Sequence, residues 1–129
     1  MTIETEEKAL LCARAAWDKK AENITVIKVK ELSDFADYFV ICSADNSRGT
    51  KAIADNIQKV LKESKIKAYG LEGYTQGKWI LLDTIDIVVH IFYEPLRDFY
   101  DLEGLWIDAP RIKLSFEMEA HSQAVQSVK

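Results

Sequence analysis

Hydrophobic positions recur with two different periods along this chain of 129 residues. A spacing of three and four gathers side chains on one face of a helix. It runs through Leu10, Ala13 and Trp17, and again through Ile53, Ile57, Val60 and Leu61. The first series predicts a helix over residues 5–22. Glu6 and Glu7 favour its start and Lys19 and Lys20 its end through the helix dipole, with Asn23 as the stop. The second predicts a helix that ends around Lys65, preceded by the capping types Ala44-Asp45-Asn46-Ser47, of which Ser47 is the simplest cap.

Other stretches are extended. Thr25–Val29 reads as a strand, and Ser33–Asp37 as a turn. Tyr38-Phe39-Val40-Ile41-Cys42 shows no alternation, so both of its faces are expected to be buried, as in a central strand. A short strand is expected near Ala68–Leu71. Strand, helix and strand of these lengths imply a parallel crossover. Gly73 and Gly77 bracket a loop. Lys78–Asp83 and Asp86–Tyr93 form two strands, joined at Thr84 and Ile85 by a hairpin in which Ile85 is a poor turn residue. Pro95 suits the first turn of a helix whose apolar stripe, Leu96, Phe99 and Leu102, is expected to pack on the sheet. The fold class is therefore α/β: one domain with a mixed sheet of about five strands flanked by helices. It occupies residues 5–110. Residues 111–129 are a weakly patterned tail.

Composition adds few constraints. At 48% hydrophobic and 29% charged the chain is globular, and surface scaling buries roughly two-thirds of the unfolded area. No apolar run is long enough to span a bilayer, and the opening MTIETEEK is unlike a secretory signal. Cys12 and Cys42 sit among apolar residues and make no metal-binding spacing, so reduced buried thiols and a cytoplasmic location are expected.

Charge changes the picture more. The net charge is -4. Between Asp83 and Asp108 stand Asp83, Asp86, Glu94, Asp98, Asp101, Glu103 and Asp108 against Arg97 alone, a net of -6. That segment suits a basic partner or a plain solvated surface, and the overall sign argues against a protein that grips bare nucleic acid through phosphate contacts.

Candidate chemistry is sparse. Asp83 and Asp86 could hold a metal for phosphoryl or nucleotidyl transfer, or could be turn residues bonding their own backbone. There is no glycine-rich phosphate loop. His90 shares a strand face with Val88 and Phe92 and is a structural or interface histidine before it is a base. Arg97 and Tyr100, three apart, are expected to be neighbours on a helix surface. Trp79 and Trp106 flank the acidic segment as core residues or as interface anchors.

One ordered set of residues is familiar. Asp37–Ser43, Ser47-Arg48, Ala52–Asp55, Glu72-Gly73, Trp79 and Asp83 lead into Asp86–Phe92, Arg97, Tyr100–Glu103, Leu105-Trp106 and Asp108-Ala109. The set resembles the ribosomal silencing factor family, also called Iojap-like. Three positions depart from the family pattern: Asp45-Asn46 after Ala44, Gly49 after Arg48, and Ile85 where glycine is common.

The resemblance implies a fold distantly similar to nucleotidyltransferases, but no catalytic residue, metal or cofactor. It implies binding to the large ribosomal subunit through its ribosomal protein numbered fourteen, a basic partner, and steric exclusion of the small subunit, which represses translation. Neither a membrane nor direct nucleic-acid specificity is implied, and homodimerisation is left open. The alternatives are a large-subunit assembly factor and a metal-dependent nucleotidyltransferase. The partner-binding candidates are Trp79, Asp83, His90, Arg97, Asp98, Tyr100, Asp101, Leu102, Glu103 and Trp106.

Overall fold

The computed structural model describes residues 4–114. Helix α1 (Thr5–Asp18) is followed by strands β1 (Glu22–Lys28) and β2 (Tyr38–Ala44) and helix α2 (Ser47–Glu63). Next come β3 (Gly70–Glu72), β4 (Trp79–Asp83), β5 (Ile87–Tyr93), the short helices α3 (Glu94–Tyr100) and α4 (Leu102–Leu105), and β6 (Arg111–Ile112). The strands form one mixed sheet in the order β3-β4-β5-β2-β1-β6. Only β2 and β5 pair in parallel.

Residue types explain the layout. The unbroken apolar run of β2 lies at the centre of the sheet, where neither face meets water, and all its residues but Phe39 are buried. Helix α2 turns Ile53, Ile57 and Leu61 inward, as its spacing predicts. Together with Ala9, Cys12, Ala13 and Ala16 of α1, these cover one sheet face built from Val26, Val40, Ile80, Leu82, Val89 and Ile91. Cys12 and Cys42 are free buried thiols in this core, and burial pushes both up to about 12. No helix among the described residues is long and apolar enough to cross a membrane.

Several boundaries differ from expectation, each for a local reason. Helix α1 stops at Asp18, and Asn23 lies inside β1 instead of ending the helix. Asn23 has φ 51°, and the register with β2 shifts between Glu22 and Thr25, so it forms a bulge that asparagine tolerates. The cap of α2 is Asn46, whose Oδ1 accepts from the Gly49 N–H at 2.7 Å, while Ser47 is already helical. The strand after α2 runs in the same direction as β2 but is not its neighbour, because β4 and β5 are inserted between them. Residues 111–114 are more than the start of a tail. They add β6 to the sheet beside β1 and bury Leu114. The rest of the tail lies outside the described residues.

The loop between Gly73 and Gly77 is shaped by positive φ at both glycines, 77° and 68°. A Cβ on Gly73 would run into the Trp79 carbonyl oxygen, and Thr50 Oγ1 donates to the Gly77 carbonyl at 2.6 Å. This pins the entry to β4, and with it Trp79.

Candidate functional site

The second sheet face is closed differently. Alternation along the strands brings Phe39 of β2, Trp79 of β4 and Val88, His90 and Phe92 of β5 to this side. Leu96, Leu102 and Trp106 pack onto it from the chain that follows β5. The rings form a continuous band. Phe99 meets Tyr100 edge to face at 5.2 Å, and Tyr100 lies 4.9 Å from Trp79. Trp79 stacks on Phe92 at 4.8 Å. His90 contacts Phe39 at 4.9 Å, and Phe39 meets Trp106 at 5.4 Å. Such pairs hold their geometry through ring quadrupoles as well as burial. The outer end is open to solvent: Tyr100 is 50% exposed and Phe99 77%.

His90 is fixed within this band. The Trp79 indole N–H donates to His90 Nδ1 at 3.1 Å. An indole nitrogen only donates, so Nδ1 carries no proton and the neutral ring holds its proton on Nε2. That Nε2 is buried and has no hydrogen-bond partner among the described residues. Burial pushes the imidazole down to about 4, so it stays neutral near pH 7. Its hydrogen bond orients the Trp79 indole.

Arg97 is a correction. It is not a surface neighbour of Tyr100 but the one buried residue of α3. Its Nε and a terminal nitrogen donate to the two Glu103 carboxylate oxygens at 2.9 and 3.1 Å. Its remaining donors reach Ser43 Oγ and Thr25 Oγ1 at 3.2 Å and the Glu22 carbonyl at 3.4 Å. The guanidinium holds the Glu103 carboxyl below its ordinary range. The cause is a chain reversal that sequence spacing could not show. Asp101 takes a left-handed conformation, φ 45°, which ends α3 and swings Glu103 back over Arg97. With Arg97 turned inward, Phe99 points to solvent instead of joining Leu96 and Leu102 against the sheet.

The acidic segment therefore divides. Glu103 is bound to Arg97, and Asp86 accepts from Lys8 at 2.9 Å. Asp83 accepts from the Ile85 N–H at 2.8 Å as a turn residue. Among the described residues no group of three or more His, Cys, Asp or Glu side chains is arranged to hold a metal. Asp98, Asp101 and Asp108 remain exposed. Of the ten candidates, Trp79, His90, Tyr100, Leu102 and Trp106 come together in or against the band, Asp101 follows Tyr100 at the end of α3, and Asp98 lines a cleft with Thr25, Glu94, Arg97 and Glu103 on the β1 side. Asp83 sits at the far hairpin, and Arg97 and Glu103 form the clamp beneath the short helices. Phe39 and Phe99 escaped the sequence reading. Phe39 could have been found from the alternation that places it beside Val88.

These features define a small α/β domain whose sheet is closed on one face by long helices and carries a partly exposed aromatic band on the other. The model of the family described as "Ribosomal silencing factor during starvation" matches residues 2–129, and the chain belongs to that family. A "Ribosomal silencing factor RsfS" of Halalkalibacterium halodurans is 40% identical over 112 residues, covering 87% of this chain and 96% of that protein. The protein of the same name from Bacillus subtilis is 39% identical over 108 residues, 84% of this chain and 92% of its own. The chloroplastic protein Iojap of Arabidopsis thaliana is 35% identical over 109 residues, 84% of this chain but 45% of its own length. A crystal structure of a Chromobacterium violaceum protein superposes with a TM-score of 0.80 at 31% identity, covering 88% of this chain and 93% of the other. The family assignment gives the chain a role in ribosome silencing.

Proposed function

We propose that the chain silences ribosomes by docking its aromatic face on the large subunit, through the basic ribosomal protein numbered fourteen, and so occupies space the small subunit needs. The observation that carries this reading is the half-exposed Tyr100, seated on Trp79 at the open end of the aromatic band. Interfaces take their energy from a few large amphipathic anchors in well-packed surroundings. Tyr100 has that form: its ring is backed by an indole that His90 holds in place. The exposed acids of this segment, Asp98, Asp101 and Asp108, suit a basic partner and speed its approach. Occupancy alone does the work, so no substrate, cofactor or turnover enters the mechanism.

Gradient sedimentation of purified subunits tests this. The protein is expected to travel with large subunits and not with small ones, and to reduce the joined particle when present in excess. Equal binding to both subunits, or undiminished joining at saturation, would contradict it.

A further inference from the structure

Opposite the aromatic face, α2 presents a second charged surface. Its core-facing residues are Thr50, Ile53, Ala54, Ile57 and Leu61. At 3.6 residues per turn, Arg48, Lys51, Asp55, Lys59 and Lys62 fall in one stripe on the reverse side. Lys65 and Lys67 continue the stripe past the helix end toward β3 at the sheet edge. From Ser47 to Lys67 there are six cations and two carboxylates, a net of +4 in a chain whose overall charge is -4.

The cations are available. None of the six is within ion-pair distance of a carboxylate among the described residues. Of the two carboxylates, Asp55 accepts from the Tyr74 hydroxyl at 3.1 Å. Two tyrosines are interleaved with the lysines. Lys67 Nζ lies 4.9 Å from the centre of the Tyr69 ring and Lys51 Nζ 5.9 Å from that of Tyr74. Tyr69 is 56% exposed. Lysines spaced along a line with aromatic faces between them match a nucleic-acid backbone and its bases.

We propose that the outer face of α2, continued through Lys65 and Lys67, is a contact surface for RNA phosphates, separate from the aromatic face; its place in silencing rests on the ribosomal reading above. The net negative charge does not forbid this. The Debye length is about 8 Å at physiological salt, so the acidic segment on the other side of the sheet is screened from α2. RNA fits better than an anionic membrane, because α2 turns its large apolar residues inward and offers none to enter a bilayer. Apart from the Asp55–Tyr74 pair the stripe consists of long, flexible cations, which meet phosphates as charges, so contact is without base specificity.

The test combines Lys59→Gln, Lys62→Gln and Lys67→Gln in the full chain. All three are exposed and make no ion pair among the described residues, so the melting temperature is expected to stay close to the wild-type value. Two ligands are used: isolated large subunits, and a short RNA hairpin. Each lysine that touches a phosphate contributes about one unit to the slope of log affinity against log salt. The triple variant is expected to lose about two to three units of slope and at least roughly tenfold in affinity at about 100 mM salt for both ligands. Tyr100→Ala should leave hairpin binding unchanged. An unaltered slope and affinity in the triple variant would overturn the proposal. So would wild-type binding to anionic lipid vesicles without binding to the hairpin. Hairpin binding that depends on the lysines, in a protein that ignores large subunits, would instead remove the ribosomal reading and leave the RNA surface standing.

Discussion

The same five central and edge strands from β1 to β5 show two faces that are finished in opposite ways. One is sealed by α1 and α2, helices of 14 and 17 residues, and leaves Ile53, Ile57, Ile80, Leu82 and Val89 with no exposure. The other is roofed by α3 and α4, helices of 7 and 4 residues, and leaves Tyr100 and Phe99 half or more exposed. Long amphipathic helices can bury a face through their own apolar stripe. Helices of one or two turns cannot, so the second face is held by an ionic clamp and a band of rings. The first face is closed, and the second leaves open to solvent the aromatic surface proposed above for docking.

The sharpest way to break that contrast is to remove the clamp. Arg97→Met leaves the Glu103 carboxylate and the Ser43 and Thr25 hydroxyls without their donor. Removing one member of a mostly buried ion pair costs about 3 kcal/mol or more. Urea unfolding is expected to show a loss of that size, with α3 and α4 loosened first. An unchanged midpoint would mean that the rings alone hold the roof. The pair also sets an acid limit. Because Glu103 titrates below its ordinary range when folded, its contribution is complete above that range and is lost as pH falls through the folded value. Arg97→Met should lack this component.

His90 gives the next largest effect. Its folded value of about 4 lies below the unfolded value of roughly 6.5. As pH falls between these limits the unfolded chain takes up a proton and the folded chain does not, so stability declines on acidification across that window, by about 2–3 kcal/mol at its end. His90→Phe should flatten the stability profile between about pH 6.5 and 4. It also frees the Trp79 indole, so it should weaken subunit binding at neutral pH. A profile identical to wild type would show that His90 is not the group being titrated.

Ile85 serves as a control away from both faces. It is a β-branched residue at φ 81° in the hairpin between β4 and β5, 59% exposed, at a position that suits glycine. Ile85→Gly is expected to raise stability by about 1 kcal/mol with no change in subunit affinity. Lower stability would show that the turn is not strained. The smallest effect belongs to the exposed acids of α3 and its end. Asp98→Asn with Asp101→Asn should slow association severalfold at low salt and leave dissociation almost unchanged; asparagine keeps the left-handed turn at position 101. An association rate independent of salt between roughly 50 and 300 mM would count against steering.

What the sequence revealed follows from the range of the interactions involved. Helix α2, the central position of β2 and the β4–β5 hairpin were legible because periodicity, composition and turn length are local. The roof was not. Its form depends on a left-handed Asp101 and on an ion pair to Glu103 that reaches Ser43 and Thr25, 54 and 72 positions before Arg97. Spacing alone put Arg97 outside and Phe99 inside, the reverse of what that network imposes. Trp79, Tyr100 and Trp106 could be named as candidates from residue type, but their union through Phe39, Phe92 and His90 needed the strand register. The basic stripe of α2 is dispersed in the sequence, because its cations alternate with the core-facing apolar positions and align only once the helix is formed.

The claim that the aromatic face is the docking surface is tested most directly at Tyr100, by measuring large-subunit affinity and melting temperature of the same variant. Truncating an interface anchor costs about 2 kcal/mol, or roughly thirtyfold in affinity. Tyr100→Ala is expected to bind large subunits about thirtyfold more weakly while melting within a few degrees of wild type. A folded Tyr100→Ala that binds with wild-type affinity would contradict the account.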